Sequence, residues 1–302
     1  YEILIGLVGS EMCIRDSYSK GCNSEKMFSG LEVSKSPDFK KHLNKYDVIH
    51  LDIQWCLEPA GKAENLISYI SEKTISELKE CYPGVLKSDI VSLPEALAII
   101  NAETGNKFIV IIDEWDVLIR DEAANKNVQE DYINFLRGMF KGTEPTKYIQ
   151  LAYLTGILPM KKEKTQSALN NFDEFTMLSP SNLAQYVGFT EDEVRGLARE
   201  YNQDFDKVKM WYDGYLLRDY QVYNPRAVVS VMLKGEFKSY WSETASYEAI
   251  VPLINMNYDG LKTAIIAMIS GAEVKVNTGT FKNDTLNIKS KDDVLTYMIH
   301  LG

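Results

Sequence analysis

Histidine and cysteine are scarce in this chain. His42, His50 and His300 are the only histidines. They are too scattered for a metal cluster, and each reads as a surface or packing residue. Cys13, Cys22, Cys56 and Cys81 show no Cys-x-x-Cys spacing and have no His pair nearby, so neither a zinc site nor a disulfide framework is suggested. Isolated cysteines of this kind fit a reducing, cytoplasmic compartment. No apolar run approaches the ~18 residues that a membrane helix needs, so no membrane is expected. No basic stretch precedes the short apolar segment at the start, which argues against a secretory signal. Positive charge is also in deficit. The net charge is −10, and no basic field favours binding along a nucleic-acid backbone. The most informative absence is a motif: no glycine-rich phosphate loop ending in Lys-Ser or Lys-Thr occurs anywhere in the 302 residues.

What is present is an apolar run closed by two carboxylates, Phe108-Ile109-Val110-Ile111-Ile112-Asp113-Glu114. An unbroken run of this length fits a strand buried on both faces. In a nucleoside triphosphate hydrolase, such a strand ends in an Asp that holds Mg²⁺ and a Glu that activates water. Asp113 is therefore the candidate metal residue and Glu114 the candidate catalytic one, with Asp116 adding charge to the same rim. The plainer reading has Asp113 capping a turn and Glu114 solvated. Thr155-Gly156 closes the next long apolar segment, where ligands sit in a doubly wound sheet. Thr155 is a candidate sensor that hydrogen-bonds water or a γ-phosphate, unless the pair simply makes a turn. Arg120, Arg137, Lys161, Lys162, Arg195 and Arg226 are candidates for charge compensation, and sequence does not choose among them. Trp211-Tyr212-Asp213-Gly214-Tyr215 reads as an aromatic turn fixed against a helical core, with a ligand platform as the alternative.

The organisation is that of an α/β chain. Strands are expected at Val48 to Ile53, Phe108 to Ile112, Tyr148 to Thr155 and Glu174 to Leu178. Helices are expected between them: Gly61 to Cys81, a Ser92-capped helix to about Glu103, and one carrying Tyr132, Phe135, Leu136, Met139 and Phe140 at helical spacing. This alternation predicts a mostly parallel sheet with helices on both faces over residues 18–178. Residues 179–302 read as a mostly helical second domain. It opens with a Thr190-x-x-Glu193 capping box and an Asn224-Pro225 helix start, and one short strand, Glu273 to Val276, interrupts it.

Seven segments occur in a characteristic order: Phe28-Ser29-Gly30-Leu31-Glu32, Ile112-Asp113-Glu114-Trp115-Asp116, Tyr153-Leu154-Thr155-Gly156-Ile157-Leu158, Asn170-Asn171-Phe172, Tyr186-Val187-Gly188-Phe189-Thr190, Trp211-Tyr212-Asp213-Gly214-Tyr215 and Tyr223-Asn224-Pro225. Together they resemble the bacterial AAA-ATPase-like family of P-loop proteins from about Tyr18 onward. The resemblance implies a P-loop-NTPase-like sheet, with Mg²⁺ held by Asp113, water activated by Glu114 and a sensor-like Thr155. It implies ATP and Mg²⁺ as cofactors of an intact parent. Relatives carry a phosphate loop of the form Arg-Phe-Gly-Lys-Ser upstream of the segment matching Ser19-Lys20-Gly21-Cys22, and no phosphate-loop residue carries over here. Many relatives continue into a C-terminal nuclease-like domain, whereas His300-Leu301-Gly302 breaks off in mid-pattern.

Gly6 to Ser17 resembles the in-frame translation of a transposase-type sequencing adapter. Residues 1–17 are accordingly set apart from the fold, the alternative being a native strand, Ile3 to Val8, with a Gly-Ser turn. If the segment is foreign, the sheet's central first strand lies upstream of Tyr18, and its slot is expected to stand open or to be filled by Ile3 to Val8. The leading expectation is an ATPase fragment without its phosphate loop. A non-enzymatic module that binds a protein partner or itself through its helical half is the alternative. A metal-dependent nuclease built on Glu236-Phe237-Lys238 or Glu273-Val274-Lys275, with Asp219 and Asp259 upstream, is the lesser one.

Overall fold

The computed structural model describes residues 10–120, 125–157, 159, 169–240, 245–256, 258, 260–282 and 288–301. They form two compact units, divided between Asp173 and Glu174. The structure is mixed α/β, and none of the described helices is long and apolar enough to cross a membrane.

The first unit is built on β1 (Asp47–Asp52), β2 (Phe108–Asp113) and β3 (Ile149–Leu154). The strands lie in the order β1-β2-β3, and both pairings are parallel. Between them run α1 (Ser10–Tyr18, preceding β1), α2 (Ile53–Ala60), α3 (Leu66–Cys81), α4 (Leu93–Thr104), the one-turn α5 (Val117–Arg120) and α6 (Lys126–Phe140). The central strand explains why the chain is wound this way. Phe108, Val110 and Ile112 enter a core with Ile70 and Ile75 of α3, Leu93 and Leu97 of α4, and Tyr132 and Leu136 of α6. Ile109 and Ile111 on the opposite face are equally buried. Burial of both faces is what parallel strands joined by helical crossovers require.

The helices follow the apolar spacing. In α3, Leu66, Ile70, Thr74 and Leu78 are buried at four-residue intervals. In α6, Tyr132, Leu136, Met139 and Phe140 are buried, while Phe135 packs half-buried at the margin. Ser92 precedes α4 in extended backbone without a side-chain capping bond, so the expected box with Glu95 does not form. Gly105 ends that helix at φ +71, a left-handed conformation that glycine adopts without strain.

Ser10 to Ser17, set apart by its resemblance to an adapter, is helical here. Helix α1 packs against β1 and β2. Its end is tied down by Asn44, whose side-chain amide donates to the Asp16 and Ser19 carbonyls at 2.8 and 3.0 Å. The placement of Ile3 to Val8 falls outside the described residues. Among the described residues, no strand pairs with the outer edge of β3.

The second unit is less purely helical than its sequence suggests. Three short strands, β4 (Phe189–Thr190), β5 (Tyr215–Leu217) and β6 (Tyr220–Tyr223), form an antiparallel sheet in the order β4-β6-β5. Strands of two, three and four residues leave almost no periodic signal, because alternation shows only over longer runs, and β6 buries two adjacent residues, Val222 and Tyr223. Around them lie α7 (Glu191–Glu200), α8 (Phe205–Tyr212) and α9 (Pro225–Lys234), followed by α10 (Ala245–Met256), α11 (Leu261–Ile269) and α12 (Lys291–Leu301). The expected strands at Glu174 to Leu178 and Glu273 to Val276 are absent, and both segments are irregular. Each is a short β-like run, and neither finds a neighbouring strand to complete its hydrogen bonds.

Both expected helix starts in this unit form. Thr190 Oγ1 accepts from the Glu193 amide while the Glu193 carboxylate accepts from the Thr190 amide, a complete capping box. The Asn224 side chain accepts from the Ala227 amide at 3.2 Å, with Pro225 at the first helical position. Replacing Thr190 with Ala removes one half of the capping box. Urea unfolding is expected to show a loss of about 1 kcal/mol.

Candidate functional site

The parallel register brings the ends of the three strands together. Asp52 at the end of β1 stands opposite Asp113 at the end of β2, and Ile112 stands opposite Leu154 of β3. Thr155, one residue beyond β3, continues the pairing: its amide donates to the Ile112 carbonyl, and its carbonyl accepts from the Trp115 amide, both at 2.9 Å. The carboxyl rim therefore carries Asp52, Asp113 and Thr155 side by side. A strand packed on both faces can present polar groups only where it leaves the core, and β2 leaves it at Asp113.

At the rim, Asp113 Oδ1 accepts from the Thr155 hydroxyl at 2.5 Å and from the Glu114 amide at 2.9 Å. The Thr155 hydroxyl thus lies on Asp113 itself. Glu114 has φ +51, a left-handed conformation that costs a residue with a Cβ roughly 1–2 kcal/mol. This reversal turns the chain from β2 into α5. The Glu114 carboxylate then meets Arg120, whose Nη2 lies 2.5 Å from Oε2. The Arg120 Nε is 2.9 Å from Asp116 Oδ2, close enough for charge pairing, although its N–H is not aligned for a hydrogen bond. Asp116 is buried, at 2% exposure, and its other oxygen lies 3.4 Å from the Ile157 amide. Burial pushes the Glu114 carboxyl above its ordinary range. The Arg120 charge opposes that shift, while Asp116, Asp113 and Asp52 reinforce it.

The loop is braced from behind. The Tyr132 hydroxyl, fully buried on α6, donates to the Trp115 carbonyl at 2.9 Å. The Gln129 side-chain amide donates to the Leu118 carbonyl at 2.9 Å. Gly156 lets the two loops touch: a Cβ there would stand 2.7 Å from Asp116 Oδ1 and 2.8 Å from the Trp115 ring.

Mg²⁺ prefers hard oxygen ligands, and in nucleotide complexes it takes one or two carboxylates and completes its shell with phosphate and water. The Asp113 carboxylate beside the Thr155 hydroxyl fits that donor set. Among the described residues, no group of three or more His, Cys, Asp or Glu is arranged to hold a metal unaided.

Of the sequence candidates, Asp113, Glu114, Asp116, Thr155 and Arg120 converge at this rim. Arg137 is exposed on α6 and donates to Asn134. Arg195 and Arg226 belong to the second unit, where Arg195 pairs with Glu191. Lys161 and Lys162 lie outside the described residues. Asp52 was not among the candidates, although its signal was present: it closes the VIHLD run as Asp113 closes FIVIID. It also caps α2, accepting from the Trp55 amide at 2.8 Å. Trp211 to Tyr215 form an aromatic turn. Tyr212 is buried, donates to the Lys238 carbonyl and stacks on Phe237, while Trp211 stays 46% exposed. Neither Glu236-Phe237-Lys238 nor Glu273-Val274-Lys275 sits on a strand.

The stretch that holds the rim matches a known family. The family described as Predicted AAA-ATPase matches residues 12–165, which include all of the rim residues. The chain belongs to this family. The chain is also similar to an uncharacterized protein in the vnfD 5′ region of Azotobacter chroococcum mcd 1. It is 25% identical over 239 residues, covering 76% of this chain and 44% of that protein. The chain thus spans less than half the length of this relative. No solved structure matches.

The tight approach at Gly156 generates a prediction. Gly156→Ala forces the Trp115 ring and Asp116 apart and is expected to destabilise the first unit by about 1–3 kcal/mol. It should also change the Trp115 contribution to tryptophan fluorescence. An unaltered unfolding midpoint and an unaltered emission spectrum would show that the two loops do not pack this way.

Proposed function

We propose that the rim is the water-activating half of a Mg²⁺-dependent ATPase site on a P-loop-type sheet, belonging to a longer protein that also supplies a phosphate loop. The observation that carries this reading is the hydroxyl-to-carboxylate bond between Thr155 and Asp113 across the ends of adjacent parallel strands, with Glu114 as the next residue. When bound, ATP and its Mg²⁺ supply the reacting phosphoryl group and the charge that neutralises it. The rim's own residues prepare the ion and the water. Asp113 offers an oxygen to the ion's shell, and Thr155 orients that carboxylate. Glu114, whose burial favours proton uptake, polarises the attacking water. The assignment of Mg²⁺ and ATP as cofactors and of the cytoplasm as the compartment is part of this proposal.

One observation favours a second reading. Phosphate-loop amides and the loop lysine make most phosphate contacts, and none is present in the sequence. A degenerate ATPase fold acting as an interaction module, through a protein partner or self-association, would need none.

The 302-residue chain is expected to show no measurable ATP hydrolysis. A longer protein carrying a phosphate loop ahead of Ser19 is expected to hydrolyse ATP with Mg²⁺ and to lose at least about 100-fold in kcat on Glu114→Gln. Turnover by the 302-residue chain that disappears on Glu114→Gln would mean a phosphate site unlike the expected loop. A longer protein that lacks the loop and shows no turnover would favour the interaction module.

A further inference from the structure

Arg120 is anchored before it meets Glu114. Its side chain is 23% exposed, and its Nε is 2.9 Å from the carboxylate of Asp116, whose side chain is 3% exposed. A buried acid of this kind needs charge pairing, and Arg120 is a cation the structure places against it. The guanidinium therefore has little freedom. From that fixed position Nη2 reaches a single oxygen of Glu114, Oε2. Glu114 itself sits on a strained left-handed backbone, which aims its side chain back along α5 towards Arg120. An arginine fork held at one end by a buried acid can fix the plane of a carboxylate at the other. Holding one oxygen leaves the second as the working one.

We infer that Arg120 is a positioning residue for Glu114: anchored by Asp116, it grips Oε2 and commits Oε1 to the water that attacks the nucleotide. This rests on the ATPase reading above, and Arg120 touches neither water nor nucleotide in it. The role differs from charge compensation at the phosphates, where an arginine would have to be free to leave the loop. Substitution then has a defined signature. The nucleotide still binds, because Arg120 contributes nothing to its affinity, but the water loses its oriented acceptor.

The test has two arms. In the 302-residue chain, Arg120→Lys is combined with Glu114→Gln in a thermal-unfolding cycle; the conservative lysine keeps a charge beside Asp116, so the fold is retained. Arg120→Lys is expected to lower Tm more in the wild-type background than in the Glu114→Gln background. Equal losses in the two backgrounds would mean that the pair does not form in solution, and would overturn the inference. In the longer, phosphate-loop-bearing protein, Arg120→Lys is expected to lower kcat about tenfold and Arg120→Ala about 100-fold. KM for ATP and the affinity for a fluorescent ATP analogue should stay within about twofold. An unchanged kcat, a raised kcat or a loss confined to nucleotide affinity would each overturn the inference. If Glu114→Gln leaves turnover intact, the ATPase assignment of Glu114 fails whatever the unfolding cycle shows. If Glu114→Gln abolishes turnover while the Arg120 variants do not affect kcat, only the positioning role fails.

Discussion

A strand covered on both faces has one place to put a charge, and that is its end. Phe108 to Ile112 are all within 1% of complete burial, so the backbone of β2 must satisfy its hydrogen bonds with β1 and β3 and can carry no polar side chain along its length. The register that follows brings Asp52, Asp113 and Thr155 into one line. Helices then have to cover the sheet, which accounts for the burial of α3, α4 and α6 against it. The candidate site is thus a consequence of sheet pairing, and its residues come from three distant stretches of chain.

The loop after β2 illustrates how a local strain is held. Glu114 adopts a conformation disfavoured for any residue with a Cβ. Around it stand the bonds from its own amide and from Thr155 to Asp113, the pairing of Asp116 with Arg120, and the Tyr132 hydroxyl on the Trp115 carbonyl. Strain concentrated where the surroundings over-determine the backbone is a habit of functional loops. The absence of a side chain at Gly156 belongs to the same construction, because it lets the loops after β2 and β3 approach within contact distance.

The second unit shows the opposite balance, with local signals strong and the sheet invisible. The Thr190–Glu193 box and the Asn224-Pro225 start were legible because capping is a matter of three or four adjacent residues. The aromatic turn was legible for the same reason. Tyr212 is clamped by Lys238 and Phe237, and Gly214 is pressed so close to the Val222 carbonyl that a Cβ would stand 2.3 Å from it. By contrast, β4 and β5 are held as strands by pairing with β6 on either side, and the isolated β-like runs at Glu174 to Leu178 and Glu273 to Val276 did not become strands for want of a partner.

What the sequence determined by itself is whatever depends on neighbours along the chain: the buried strand closed by Asp113 and Glu114, the amphipathic α3 and α6, the helix starts of the second unit, the three ordered segments that fall within the family match over residues 12–165, and the absence of a phosphate loop. Tertiary structure decided which distant groups meet. It set Arg120 against Glu114 and Asp116, added Asp52 to the rim, laid the Thr155 hydroxyl on Asp113, and built α1 from residues set apart for their resemblance to an adapter. The physical reason is that hydrogen bonds and ion pairs act over about 3 Å in space, while a sequence records only separation along the backbone. Parallel pairing is what brings Asp113 and Thr155, 42 residues apart in the chain, within that reach and sets Asp52 opposite Asp113.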